Sequence, residues 1–230
     1  MRIYTAFAAA TALAFAAPSL QAATPAPVAA KSADIDKLMD AMLDEQMLVG
    51  AMNAATDKQF DDLAVADASF AALIKQFPGL DGALRERTRV ELAAIVHEGL
   101  PTLRASVARL IAARMTGEQV AAAAALLGSP TGKAFYAKGV QLGATGKGKA
   151  DVDAAELMKM LKPEDFPLLV AFHATGADDV FVKLTPELGQ ISTDWGTDIA
   201  ARNKDRLSKA GIEATSEYMA KIAAKAKTTS

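Results

Sequence analysis

Two imidazoles, His97 and His173, and no thiol are available to this chain for acid–base or metal chemistry. A ligand pair on a helix needs a second His or a carboxylate one turn away, and position i+4 is Pro101 after His97 and Ala177 after His173. Glu98 adjoins His97 but points about 100° away around a helix. Both histidines read as partly buried or capping side chains rather than ligands or general bases. Adjacent acids occur at Asp61-Asp62, Glu164-Asp165 and Asp178-Asp179. Catalytic use of a carboxylate pair requires burial and a facing partner, whereas acids at helix starts are ordinary partners of the helix dipole. Gly143 to Lys149 satisfies G-x-x-x-x-G-K, but a helical pattern precedes it and Ala150 occupies the place of the Mg²⁺-binding hydroxyl, so it reads as a solvated linker. Ser129 lacks a G-x-S-x-G elbow, and Pro130 after it points to a helix N-cap. No catalytic residue, cofactor or metal follows from these patterns.

Met39, Met42, Met47 and Met52 suggest a different use. Thioethers are flexible and suit adaptable apolar surfaces, so these four are the candidate docking surface for a partner.

The elements that must position these residues are helical. Ile35, Leu38, Met39, Met42 and Leu43 recur at spacings of three and four after Ser32, a candidate N-cap. Asp67 is placed to cap a short helix stopped by Pro78-Gly79. Asp81 opens the next, which is expected to end at Gly99, with Pro101 starting another. Thr116 and Gln119 form a capping box ahead of a run of alanines. Gly128 breaks that helix, and Ser129-Pro130 restart the chain. A short amphipathic helix is expected over Asp151–Leu161 and another from Pro163. A further helix from Asp178 is expected to kink or restart at Pro186. The stretch Asp179–Leu184 has strand propensity but no partner strand, so helix is expected there as well. The class is all-α, a bundle of about eight to ten short helices.

The segments Met115–Gln119 and Leu161–Asp165 stand 46 residues apart, each opening an apolar helix of similar length. Duplication of a helical hairpin is one explanation; two unrelated hairpins with good capping chemistry is the other.

Met1–Ala22 carries Arg2 followed by an apolar run from Ile3 to Ala17. At about 1.5 Å per residue this run is too short for a ~30 Å hydrocarbon core, and it reads as a signal peptide cut near Ala22. Ala23–Lys31 is a Pro/Ala-rich leader. Residues 32–143 form a helical domain, 144–150 a Gly/Lys loop, 151–212 a helical part packed on the first, and 213–230 a frayed tail. The expected location is the periplasm, with no membrane span after processing. A formal charge of −2 gives no general attraction to nucleic acid. The absence of Cys excludes disulfides, thiolate zinc sites and a lipoprotein's acylated cysteine.

The stretch from Leu92 to Lys138 resembles a family of secreted helical bacterial proteins known as domain of unknown function 2059. The resemblance rests on Thr116 with Gln119 and on Ser129, Pro130 and Gly132. Glu118 falls one place before the family's Glu, and Lys133 follows Gly132 without the family's spacer. The resemblance implies a helical periplasmic domain and no reaction. The function expected is non-enzymatic binding of a protein or lipidic partner in the bacterial envelope. The alternative is a hydrolase using His97 or His173 with an acid.

Overall fold

Residues 30–144 and 162–228 are described by the structure, a computed structural model, and every regular element among them is helical. Helix α1 spans Ser32–Met42 and buries Leu38, Met39, Ala41 and Met42. Lys31, not Ser32, takes the N-cap place, and no side chain caps this helix. Helix α2, Glu45–Ala66, is capped by the Asp44 carboxylate, which accepts from the Met47 N–H at 2.9 Å. It passes through Gly50 without interruption. Asp67 caps α3, Ala68–Gln76, by accepting from the N–H groups of Ser69 and Phe70. Gly79 takes φ +100°, a left-handed conformation open to glycine, and turns the chain into α4.

Helix α4 runs unbroken from Leu80 to Arg114. The boundary expected at Gly99 and Pro101 is not there. An internal proline costs about 3 kcal/mol through its missing N–H and ring clash. Leu100, Leu103 and Val107 are buried around it, and each buried aliphatic side chain contributes about 1.5–3 kcal/mol. Gly99 serves close approach instead: the Ile199 side chain lies on it, and the Trp195 indole N–H donates to its carbonyl at 3.0 Å.

Helix α5 spans Gly117–Gly128 and α6 spans Pro130–Ala144. A 3₁₀ turn at Pro163–Asp165 leads into α7, Phe166–Ala174. Gly176, at φ +67°, turns the chain into α8, Ala177–Thr228. The Pro186 restart is not seen, and the helix continues to Thr228. Leu184 and Leu188 are buried on either side of Pro186, and beyond Gly211 the buried Ala214 and the Tyr218–Pro78 contact hold the helix to the bundle. The described residues form eight α-helices, but α4 and α8 are long rather than short, because each passes straight through an expected boundary.

The most extensive pairing is α4 with α8, followed by α1 with α5. Leu38, Ile95, Val96, Leu103, Ile111 and Val120 sit at the centre of one core built from all of these helices. Ion pairs tie α4 to its neighbours: Arg85 to Asp57 and Asp61 on α2, and Arg206 on α8 to Glu91 and Glu98. No helix among the described residues is long and apolar enough to cross a membrane. The signal peptide, most of the leader, the Gly/Lys loop from residue 145 and the helix at Asp151–Leu161 lie outside the described residues.

Candidate functional site

The box at the start of α5 is formed in both directions. The Gln119 N–H donates to the Thr116 hydroxyl at 3.3 Å, and the Gln119 amide oxygen accepts from the Thr116 N–H at 2.9 Å. Gln119 then does something its spacing does not foretell. Its Nε2 donates to the carbonyl of Thr175, which ends α7, at 3.1 Å. At the other end of α5 the Ser129 hydroxyl accepts from the Gly132 N–H at 3.0 Å, which makes Ser129 the cap of α6. Gly132 is held against the preceding helix so tightly that a Cβ there would overlap the carbonyl of Leu126. The turn from α5 to α6 thus depends on a hydroxyl, a proline and a missing side chain.

Thr131 and Asp165 complete the arrangement. Both are buried, and they are the two polar residues in that state among the described ones. The Asp165 carboxylate accepts from the Lys162 N–H at 2.9 Å and from the Thr131 hydroxyl. Those two donors, the backbone one foremost, hold Asp165 below the usual carboxylate range. The start of α5 therefore meets the end of α7, and the start of α7 meets the end of α5. The two run antiparallel, each pinned by a side chain from the other's boundary. Counting the 3₁₀ turn, Pro163–Ala174 lies 46 positions after Gly117–Gly128 and has the same length.

These ties hold out a helix with an unusual exposure. Every residue of α7 except His173 is apolar, yet none is buried. Phe172 packs its ring on Phe181 of α8, with centroids 5.9 Å apart. On the outer side Phe166 is 49% exposed and Val170 66%, with Pro167, Ala171 and Ala174 exposed between and beyond them. This is the candidate site, and it is not the one expected. Met39 and Met42 are 3% and 2% exposed and belong to the central core, because α1 lies between α4 and α5 rather than on the surface. Met47 and Met52 are partly buried against the same core. The methionine surface is thus interior packing, the usual fate of a Met stripe.

The histidines are exposed rather than partly buried. His97 Nδ1 lies 3.2 Å from the Glu45 carboxylate at the edge of α2. His173 Nδ1 lies 2.6 Å from Asp178 Oδ2, and this bond foremost raises the His173 pKa. The other oxygen of Asp178 is buried without a hydrogen-bond partner. Asp61 answers Arg85 and Asp62 answers Lys58, so that acid pair is spent on ion pairs. No group of three or more His, Asp or Glu among the described residues could hold a metal ion. Thr131, Asp165, Phe166 and Val170 were not legible as functional positions. Only the Pro163-Glu164-Asp165 helix start hinted at Asp165, and the exposure of an apolar helix has no local signal.

No family model, no curated protein and no solved structure matches the chain.

Proposed function

We propose that this is an exported, non-enzymatic binding protein of a bacterial envelope that docks a partner protein on the outer face of α7. The observation that carries the reading is a helix of almost wholly apolar residues with no buried member, fixed at both ends by hydrogen bonds to α5 and α6. A rigid apolar strip binds with little ordering cost, and exposed apolar area of this kind marks interaction sites. Nine helical residues span only ~14 Å, and Glu164 and Asp179 flank the strip, which suits a partner helix better than a lipid surface. Export is supported by Arg2, the apolar run after it and the Ala22 junction. The twelve-residue helices at a 46-residue offset, each opened by a side chain three places in that returns to its own cap, support duplication of a hairpin. Kinship with domain of unknown function 2059 rests on Thr116, Gln119, Ser129, Pro130 and Gly132, all of which act at helix ends.

The test is a photocrosslinking residue at position 170, with Phe166→Asp introduced in a second sample. A discrete adduct in the native envelope, lost with Phe166→Asp while melting is unchanged, is expected. A Phe166→Asp, Val170→Asp protein that fully restores a deletion strain would refute the docking role. The hydrolase reading retains one specific observation, the His173–Asp178 contact, which orients the imidazole through Nδ1. No hydroxyl among the described hydrogen bonds approaches that ring. Loss of function in His173→Gln with α7 binding intact would favour it.

A further inference from the structure

A second region leaves apolar side chains uncovered, and its charges name an occupant. Tyr218 of α8 donates its hydroxyl to the Pro78 carbonyl, and its ring stands where a Cβ on Gly79 would meet it in ordinary van der Waals contact. This contact ties α8 to the turn that leads into α4. From Met219 onward every described side chain is exposed. Ten more residues, to Thr228, carry the helix ~15 Å past that contact. Ile212, Thr215, Met219 and Ile222 succeed one another at spacings of three and four, which is one stripe along this part of the helix. Beside its base, Leu84 of α4 and Ser208, Gly211, Ile212, Thr215 and Ser216 of α8 line an open groove of about 400 Å³.

At the same end of the molecule stand the last turn of α2 and all of α3. Leu63 and Leu73 are exposed, Val65 is 89% exposed, and α3 buries no residue. The Phe60–Phe70 ring contact, with Arg85 beneath Phe60, fixes the angle between these two helices. The surface is acidic: Asp57, Asp61, Asp62, Asp67, Asp81 and Glu86 stand against Lys58, Lys75, Arg85 and Arg89, a net charge of −2. The projecting end of α8 carries Lys221, Lys225 and Lys227 and no acid, a net charge of +3.

We infer that the chain forms a two-fold dimer in which the projecting end of α8 of each copy lies on the α2–α3 edge of the other. Both surfaces are apolar, opposite in charge and adjacent on one molecule, which is what a self-complementary two-fold contact requires. Pairing α8 with α8 in parallel instead would bring the three lysines of one copy against those of the other. The two-fold repeats the contact, so the short helices act twice.

Sedimentation equilibrium on the whole chain tests this, with circular dichroism confirming that each variant is folded. A dimer that weakens with added salt is expected. Met219→Asp with Ile222→Asp should raise the dimer dissociation constant by about tenfold or more. Lys221→Glu and Asp62→Lys should each weaken the dimer, and the two together should recover it. A monomer at every concentration, including one that binds phosphatidylglycerol vesicles through this stripe, would overturn the inference. So would a dimer indifferent to the double aspartate variant, or one strengthened by Lys221→Glu alone, the mark of α8 pairing with α8.

Discussion

Replacing Gly132 with alanine tests the account of the α5–α6 turn. In an exposed helix the exchange stabilises by about 0.5–1 kcal/mol, because alanine has less freedom to lose. Gly132 reverses the sign. An added Cβ overlaps the Leu126 carbonyl and also crowds the Cα of Leu127, and both are backbone atoms that cannot swing aside. Relief requires α6 to move away from α5. That motion would stretch the Gly132 N–H to Ser129 bond and pull Thr131 from Asp165. Overpacking of this kind costs about 1–3 kcal/mol, sometimes more, and a lost cap adds about 1. The net expectation is a loss of roughly 2 kcal/mol, or a drop of about 4–8 °C in a domain of this size. Thermal unfolding followed by helical circular dichroism measures it. Gly50→Ala on α2, where a Cβ meets nothing within 4 Å, is the paired control and should melt slightly higher. If Gly132→Ala melts at or above the parent temperature, the steric reading of the turn is wrong.

Thr116→Ala and Ser129→Ala should each cost on the order of 1 kcal/mol in chemical denaturation; Gln119→Leu should cost more, since it strips partners from both Thr116 and Thr175. Ala123→Leu, at a fully buried position on α5, should destabilise by roughly 1–3 kcal/mol on the same measure. The His173–Asp178 contact raises the histidine pKa, so its stabilising effect is complete below the unfolded value and fades as pH rises through the folded one. An NMR titration should show His173 above ordinary histidine values, returning toward them in Asp178→Asn. Burial pushes the Tyr136 phenol up to about 12, so stability should decline as pH climbs from about 10 toward 12, and Tyr136→Phe should blunt that decline.

How much of this was legible depended on whether the deciding interaction was local. The Thr116 box, the Ser129 cap and the Asp67 cap involve groups within three residues, and each could be read from spacing. The continuity of α4 across Pro101 could not. It depends on leucines buried against other helices and on Trp195, which lies 96 residues away. Pro186 is the same case, with Leu184 and Leu188 holding the helix on either side. The methionines of α1 show the complementary error: a periodic stripe says that one face is apolar but not what covers it. On α7 the apolar residues run round the helix, and only the assembled bundle shows that nothing buries them among the described residues.

The bond from Trp195 to Gly99 also sets up an observable of the assembly process. Trp195 is the single tryptophan of the chain, so its fluorescence reports one event: the arrival of α8 on α4. A chain synthesised from its N-terminus completes α1 through α6 before that residue exists. Until then the α4 surface around Gly99 has no Ile199 or Trp195 to cover it, and the early helices must wait with that seam open. Emission that lags behind helix formation after dilution from denaturant would time the closing of this seam, and would mark the interval in which the unfinished bundle is most exposed to wrong partners.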